Sequence, residues 1–420
     1  MADIKKYLVG GAVRDMLMGK EPKDRDYVVV GSTHEEMISL GFGMPFGAAF
    51  PVYHHPETKE EYALARTERS TGPGYHDFET LFSPDVTLEQ DLLRRDLTIN
   101  AIAYDEETGE FIDPHGGVED IKNKQLRPVN PKAFLEDPLR IYRLARLFAR
   151  YGGEFQIGWR TMWLVTQAVK AGGLNHLPKE RKFAEIEKCF KDDSRSNKPS
   201  MMITFLADIG ELPEIAALEG VPQPAEHHPE GDAFVHTMLV MDAAFNLGAS
   251  AQELFAAMLH DVGKAVVYEK YGKLHGHEEA GVPVVEQVCD RFGVPLSWRK
   301  LAVVCTENHG RVHKIRDMRP KKVLALLERL KAEQSFDTML SLCLVCQADA
   351  WGRGPDRYGK MYLQGVYLMN VAEALALARK DLKIKNREIA LQCKGNPGKI
   401  AERVRAEKLS VVKSAIREMS

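Results

Sequence analysis

Apolar positions in the first 130 residues come in short runs. Tyr27–Val30, Glu61–Arg66, Ile99–Tyr104 and Glu110–Ile112 carry the β-branched and aromatic content of strands. Turn signals separate them at Gly72-Pro73-Gly74, Glu106–Gly109 and Pro114–Gly117. Beyond Asp137 the spacing changes. Leu139, Tyr142, Leu144, Ala145, Leu147 and Phe148 recur at three and four residues, and helical spacing continues nearly to the end. It breaks at Asn197-Lys198-Pro199 and at Val221-Pro222-Gln223-Pro224. The pattern predicts an α+β protein: a head on a small sheet over 1–130, a helical middle over 131–222, a His-rich helical segment over 228–350 and a helical tail over 351–420.

A chain of 420 residues suits two to four domains rather than one core. The net charge of −3 advertises no polyanionic partner globally. Its distribution does more. Residues 379–420 hold twelve Lys/Arg against five Asp/Glu, a basic end on an acidic body that suits a polyanion gripped at one place. A solvated helical tail would carry the same charges. The amino end lacks the apolar core of a signal peptide, and no run of eighteen apolar residues occurs, so a cytoplasmic protein without a membrane partner is expected. Cys343-Leu-Val-Cys346 has zinc-like spacing but no second Cys/His pair, and reads as two buried helical thiols.

The densest chemistry lies in the first thirty residues. Tyr7-Leu8-Val9 enters Gly10-Gly11, a helical stretch follows, and Asp24-Arg25-Asp26 opens the run Tyr27–Val30. On a strand, Asp24 and Asp26 share a face with Cα atoms roughly 6.8 Å apart. Two such carboxylates can hold a pair of Mg²⁺ ions about 3.5–4 Å apart, which activate a hydroxyl and steady a leaving pyrophosphate. Gly10 and Gly11 let backbone N–H groups approach a triphosphate, with a helix start behind them. A bare Asp-x-Asp is usually a solvated turn; the glycine pair upstream and the strand behind it favour the site.

These residues resemble the signature of the polymerase-β-like nucleotidyltransferases, and Gly-Gly-Ala-Val-Arg-Asp with Asp-Arg-Asp resembles their class II branch, which contains CCA-adding enzymes and bacterial poly(A) polymerases. Arg94-Arg95-Asp96-Leu97-Thr98-Ile99-Asn100-Ala101 resembles the branch's second motif. That resemblance implies that Arg95 contacts the incoming nucleotide with Asp96 and Asn100 in support; alone, the arginine pair would read as ordinary salt bridges. Glu136-Asp137-Pro138-Leu139-Arg140 resembles the Glu-Asp-x-x-Arg motif, which implies that Asp137 and Arg140 act as a protein template. One carboxylate plus one guanidinium can pair with cytosine or adenine, whereas guanine and uracil present the opposite donor and acceptor order. Glu180-Arg181 with Glu185 resembles a motif bracing the template helix, and Glu61 falls where relatives carry a third active-site carboxylate. By the same resemblance, Gly11, Arg14, Arg143 and Arg146 hold the nucleotide.

Between 228 and 350 lie His236, His260-Asp261, His275, His277, His309, His313 and Asp349. Several histidines in one helical segment, with an Asp beside one of them, favour a metal site. His236, His260, Asp261 and Asp349 resemble the ligand pattern of the HD phosphohydrolase superfamily, and His277 and His309 sit where some members carry extra ligands. His/Asp ligation leaves Ni²⁺, Mg²⁺, Mn²⁺ and Co²⁺ open.

Together the segments resemble the multifunctional CCA proteins. The resemblance implies addition and repair of the tRNA 3′-terminal CCA from CTP and ATP, with Mg²⁺ at Asp24 and Asp26. It also implies phosphatase, 2′-nucleotidase and 2′,3′-cyclic phosphodiesterase activity in the HD segment, on a divalent transition metal such as Ni²⁺. The partners expected are tRNA and the two nucleotides, not DNA, and the chain is a monomer or a homodimer. Two rivals remain: a poly(A) polymerase, which shares the amino-terminal motifs, and an HD hydrolase whose first domain only binds tRNA.

Overall fold

The computed structural model describes residues 4–22, 24–46, 51–70, 78–226, 228–354, 356–393 and 396–419. The turn at 72–74 lies outside the described residues. The chain forms two compact units, Met1–Ile209 and Gly210–Ser420.

The first unit is built on β1 (Lys5–Val9), β2 (Asp26–Val30), β3 (Val52–His54), β4 (Glu61–Leu64), β5 (Arg66–Ser70), β6 (Phe78–Phe82), β7 (Ala103–Asp105) and β8 (Glu110–Ile112). Six strands make a mixed sheet in the order β3-β4-β2-β1-β7-β8, and β5 pairs with β6. Among the described strands β2 and β4 are the one parallel pair, with Asp26 opposite Glu61. Tyr7, Leu8, Val9, Tyr27, Val28 and Val29 are each at most 5 % exposed, so the β1–β2 pair is covered on both faces.

Two sequence readings need correction. Ile99–Tyr104 is not one strand: Thr98–Asn100 is a 3₁₀ turn, and β7 begins only at Ala103. Asp96 accepts hydrogen bonds from the Leu97 N–H and the Asn100 side-chain amide, and the Thr98 hydroxyl donates to Asp120. These local side-chain bonds curl the backbone away from a ladder. Similarly, Glu61–Arg66 is divided between β4 and β5.

The four longest helices among this unit's described residues are Leu139–Arg150, Trp159–Lys170, Lys179–Lys191 and Pro199–Asp208. The 139–150 helix packs against both the 179–191 and 199–208 helices. Leu139, Tyr142, Leu144, Ala145 and Leu147 are buried, as their spacing predicts, whereas Phe148 is only half-buried and Ile141 joins the core instead.

The regular elements among the second unit's described residues are all helices, with one isolated β-bridge between Pro222 and Asp232. Ala233–Asn246, Ala251–Leu259, Leu296–His313 and Asp337–Trp351 pack on one another, with Gly263–Tyr271 and His277–Phe292 alongside. Asp232 caps the first of these helices, and Ser250 with Glu253 forms a capping box on the second. Leu363–Leu377, Arg379–Gln392 and Pro397–Glu418 follow, the last packing against both others and against Pro320–Arg329.

Candidate functional sites

In the first unit the chemistry gathers where β1 ends. Gly10 turns the chain at φ +74°, and a Cβ there would come within 3.3 Å of the Arg95 guanidinium, so the position takes glycine. The β1–β2 ladder closes at Val9–Asp26 because β1 stops at that turn. Asp26 is therefore the first strand residue, and Asp24 lies in the bend before it. Both nevertheless line one cleft of about 660 Å³. Gly11, Arg14, Arg95, Asp137, Arg140, Arg143 and Arg146 line it too, whereas Glu61 lines a smaller pocket that shares Asp26 and Arg95 with the cleft.

The cleft is strongly cationic: eight arginines and one lysine face four aspartates. Holding so many guanidiniums together demands counter-charges behind them, and the structure supplies these. The fully buried Asp91 pairs with Arg94 at 2.7 Å and with Arg95 at 3.1 Å. Burial works against the Asp91 charge, yet the two guanidiniums hold its carboxyl below the usual range. Asp96 accepts from Arg143 Nε at 2.7 Å, and Glu185 accepts from Arg146 Nε at 2.7 Å and from Lys188 at 3.0 Å. Arg14 donates to Asn100 Oδ1 at 2.7 Å and to Asp15 Oδ1 at 2.8 Å. Arg140 is buried and donates to the Arg94 carbonyl at 2.6 Å, which fixes the guanidinium. Arg95 keeps a buried Nε with no protein partner.

Partial desolvation and then the Glu61 carboxylate raise the Asp26 carboxyl above its ordinary range, with Arg95 pulling the other way. Clustered carboxylates of this kind favour a bound cation. Sequence reasoning missed Arg150 and Lys188 as lining residues. Arg150 continues the 140-143-146 series by one helical turn and could have been read from spacing; Lys188 could not.

The second unit holds the histidine cluster. His260 and Asp261 follow the 251–259 helix directly, and Gly263 opens the next helix. A Cβ on Gly263 would collide with the His277 carbonyl and with the Gly281 backbone, so glycine admits the helix that carries His277. His236 Nε2 lies 3.2 Å from Asp349 and 3.6 Å from Asp261, and His260 Nε2 lies 3.1 Å from Asp261. The other Asp261 oxygen lies 3.3 Å from His277 Nε2 and 3.4 Å from His309 Nε2. All four expected ligands thus converge, and the two extra histidines join them through Asp261. His313 reaches Asp349 instead, at 2.5 Å.

Nδ1 of His260, His277 and His309 each faces a backbone carbonyl, at 2.7 to 3.1 Å. A proton on Nδ1 leaves the Nε2 lone pair for a cation. Buried His236 Nε2, His260 Nε2 and Asp261 Oδ1 have no hydrogen-bond partner. Orphaned buried polar atoms cost about 1–3 kcal/mol each, so a divalent ion fits this donor set. His236 Nδ1 rests on Glu230 at 2.7 Å. Glu230 had no sequence signal, since only packing brings it to His236.

Elsewhere, Cys343 and Cys346 are free and buried. In the basic tail, Lys385, Arg405 and Lys408 are engaged by Glu407, Glu328 and Glu333. Among the described residues no helix is long and apolar enough to cross a membrane.

Known proteins resemble this chain in both of its units. A family model described as the poly A polymerase head domain matches residues 6–127, and one for the HD domain matches 233–350. The multifunctional CCA protein of Teredinibacter turnerae is 44 % identical over 378 residues, covering 89 % of this chain and 90 % of that protein. A CCA-adding enzyme structure, apo form II, superposes with a TM-score of 0.59 at 22 % identity, covering 96 % of this chain and 92 % of that one. A tRNA nucleotidyltransferase bound to a primer tRNA and an ATP analogue gives 0.53 at 24 % identity, covering 82 % and 91 %. The structural matches establish the shared fold; the level of identity over nearly the whole length establishes that this chain belongs to the multifunctional CCA protein family.

Proposed function

We propose that this chain adds and repairs the 3′-terminal CCA of tRNA with CTP and ATP, and that its HD unit separately hydrolyses phosphate esters. The observation that carries the first activity is the joining, in one cationic cleft, of Asp24 and Asp26 with Asp137 and Arg140. Divalent ions bound at Asp24/Asp26 (Mg²⁺) and at His236, His260, Asp261 and Asp349 would supply Lewis acidity toward phosphate oxygens. Arg95, Arg143 and Arg146 balance the triphosphate charge, each already oriented by a carboxylate, so little reorganisation accompanies nucleotide binding. Asp137 and Arg140 offer one acceptor edge and one donor edge to the base, complementary to cytosine and adenine. The basic tail would hold tRNA through phosphate contacts.

In the HD unit, Glu230 and three backbone carbonyls set the tautomers of the histidines. Lys264, 2.6 Å from Asp261, adds positive charge beside the candidate ligands. Phosphatase, 2′-nucleotidase and 2′,3′-cyclic phosphodiesterase substrates share the phosphate ester such a centre would attack.

The deciding assay incubates tRNA lacking its 3′ CCA with single labelled nucleotides and sizes the products. Addition that stops at C, C and A supports the proposal. A long A ladder would make the chain a poly(A) polymerase, and no extension would leave the first unit as a tRNA-binding module.

A further inference from the structure

The 159–170 helix presents Trp159, 74 % exposed, and Trp163, 56 % exposed, one turn apart on one side. A single exposed apolar side chain needs no explanation, but two indoles on one helical stripe do. The opposite side is anchored: Thr161, Val165 and Ala168 are buried, and the Thr161 hydroxyl donates to the Leu126 carbonyl at 3.2 Å. The stripe is therefore held rigidly toward solvent.

Charge indicates what it meets. From Phe155 to Lys179 the chain contains no Asp or Glu, although acids make up 60 of its 420 residues. Arg160, Lys170 and Lys179 fall within the same stretch. The Arg160 guanidinium sits 5.3 Å from the centre of the Trp159 ring. Exposed aromatic rings interleaved with cations and free of acids match an unpaired nucleobase and its phosphate, with the base stacking on an indole and the cation meeting the backbone. An apolar protein partner gives no reason for the missing acids.

We propose that Trp159 and Trp163, with Arg160, form a stacking platform for an unpaired base of the tRNA substrate. This rests on the tRNA reading above. Both indoles already project from a folded helix, so Trp159→Ala/Trp163→Ala should fold normally.

The test measures anisotropy of a labelled tRNA transcript lacking CCA, binding to wild-type chain, the double-alanine variant and Trp159→Phe/Trp163→Phe. The proposal expects the alanine variant to bind about 5- to 100-fold more weakly and the phenylalanine variant to recover most of the loss. KM for CTP should be unchanged, because the platform does not line the nucleotide cleft. Wild-type affinity in the alanine variant overturns the platform. So does unchanged tRNA affinity with a dimer converted to monomer in sedimentation, which would assign the stripe to a second copy. Wild-type chain that neither binds nor extends tRNA would overturn the transferase reading itself, a result distinct from either.

Discussion

Asp26 lies directly across the parallel β2–β4 ladder from Glu61. Facing residues in adjacent strands are close enough for like charges to destabilise one another. The raised carboxyl of Asp26, which burial and Glu61 both push upward, records that tension. Carboxylates brought this close, with the Arg95 guanidinium offsetting only part of their charge, make sense as a cation site. Asp24→Ala and Asp26→Ala should each lower C and A incorporation by at least about 100-fold with the circular dichroism spectrum unchanged. Glu61→Gln should cost about 10- to 100-fold if its carboxylate supports the same ion. Near-normal incorporation by both aspartate variants would refute the assignment.

Base choice is expected to rest on Asp137 and Arg140. Arg140 is buried and bonded to the Arg94 carbonyl, so its removal threatens packing as well as reading. Asp137→Asn is the cleaner probe, because it keeps the shape and exchanges one acceptor for a donor. Incorporation of UTP and GTP beside CTP and ATP should show selectivity falling by at least about tenfold, with KM for CTP changed less. Unaltered selectivity would mean that another group reads the base.

How much of this could be read in the sequence depends on the range of the interaction. The Asp24/Asp26 pair, the 140-143-146 stripe and the His260-Asp261 step are local spacings, and the structure gathers each into its site. The breakdown of the 99–104 run came from side-chain bonds of Asp96 and Thr98, which compete with β-propensity and leave no periodic trace. Asp91 was partly legible, lying one helical turn before Arg95. Glu230 behind His236 and Tyr362 behind His313 were not legible, because tertiary packing alone creates those contacts.

The Asp96–Arg143 pair ties the turn at 98–100 to the 139–150 helix. Burial disfavours the Asp96 charge, but Arg143 and the Asn100 amide outweigh it and hold the carboxyl well below the usual range. The folded value being the depressed one, the pair's stabilisation is present above the ordinary carboxyl range. It is lost as pH falls through that range toward the folded value. Asp96→Asn should destabilise the first unit by on the order of 2 kcal/mol at neutral pH, less than the about 3–5 kcal/mol of a fully buried pair because Arg143 stays partly solvated. It should also flatten the acid limb of a urea-denaturation series between about pH 5 and 3. An identical acid limb in the variant would show that other carboxyls dominate.

Asp261 offers one oxygen toward His236 and His260 and the other toward His277 and His309, so it can serve two metal positions at once. Two overlapping donor groups, His236–His260–Asp261 and Asp261–His277–His309, share that carboxylate. Losing a peripheral ligand should then differ from losing the shared one. His277→Ala should remove one of two bound ions and leave the first group intact, whereas Asp261→Ala should empty both. Titration of the chelated chain with Ni²⁺, Mn²⁺ or Mg²⁺ in a calorimeter would count the sites. Hydrolysis of a 2′,3′-cyclic nucleotide should fall to background in Asp261→Ala and in His260→Ala. CCA addition by both variants should stay within about twofold of wild type, since the transferase carboxylates belong to the other unit. A difference of only one binding equivalent between wild type and Asp261→Ala, which keeps the same transferase carboxylates, would leave His277 and His309 outside the metal site. Joint loss of addition and hydrolysis in a folded His260 variant would instead tie the histidine cluster to the transferase.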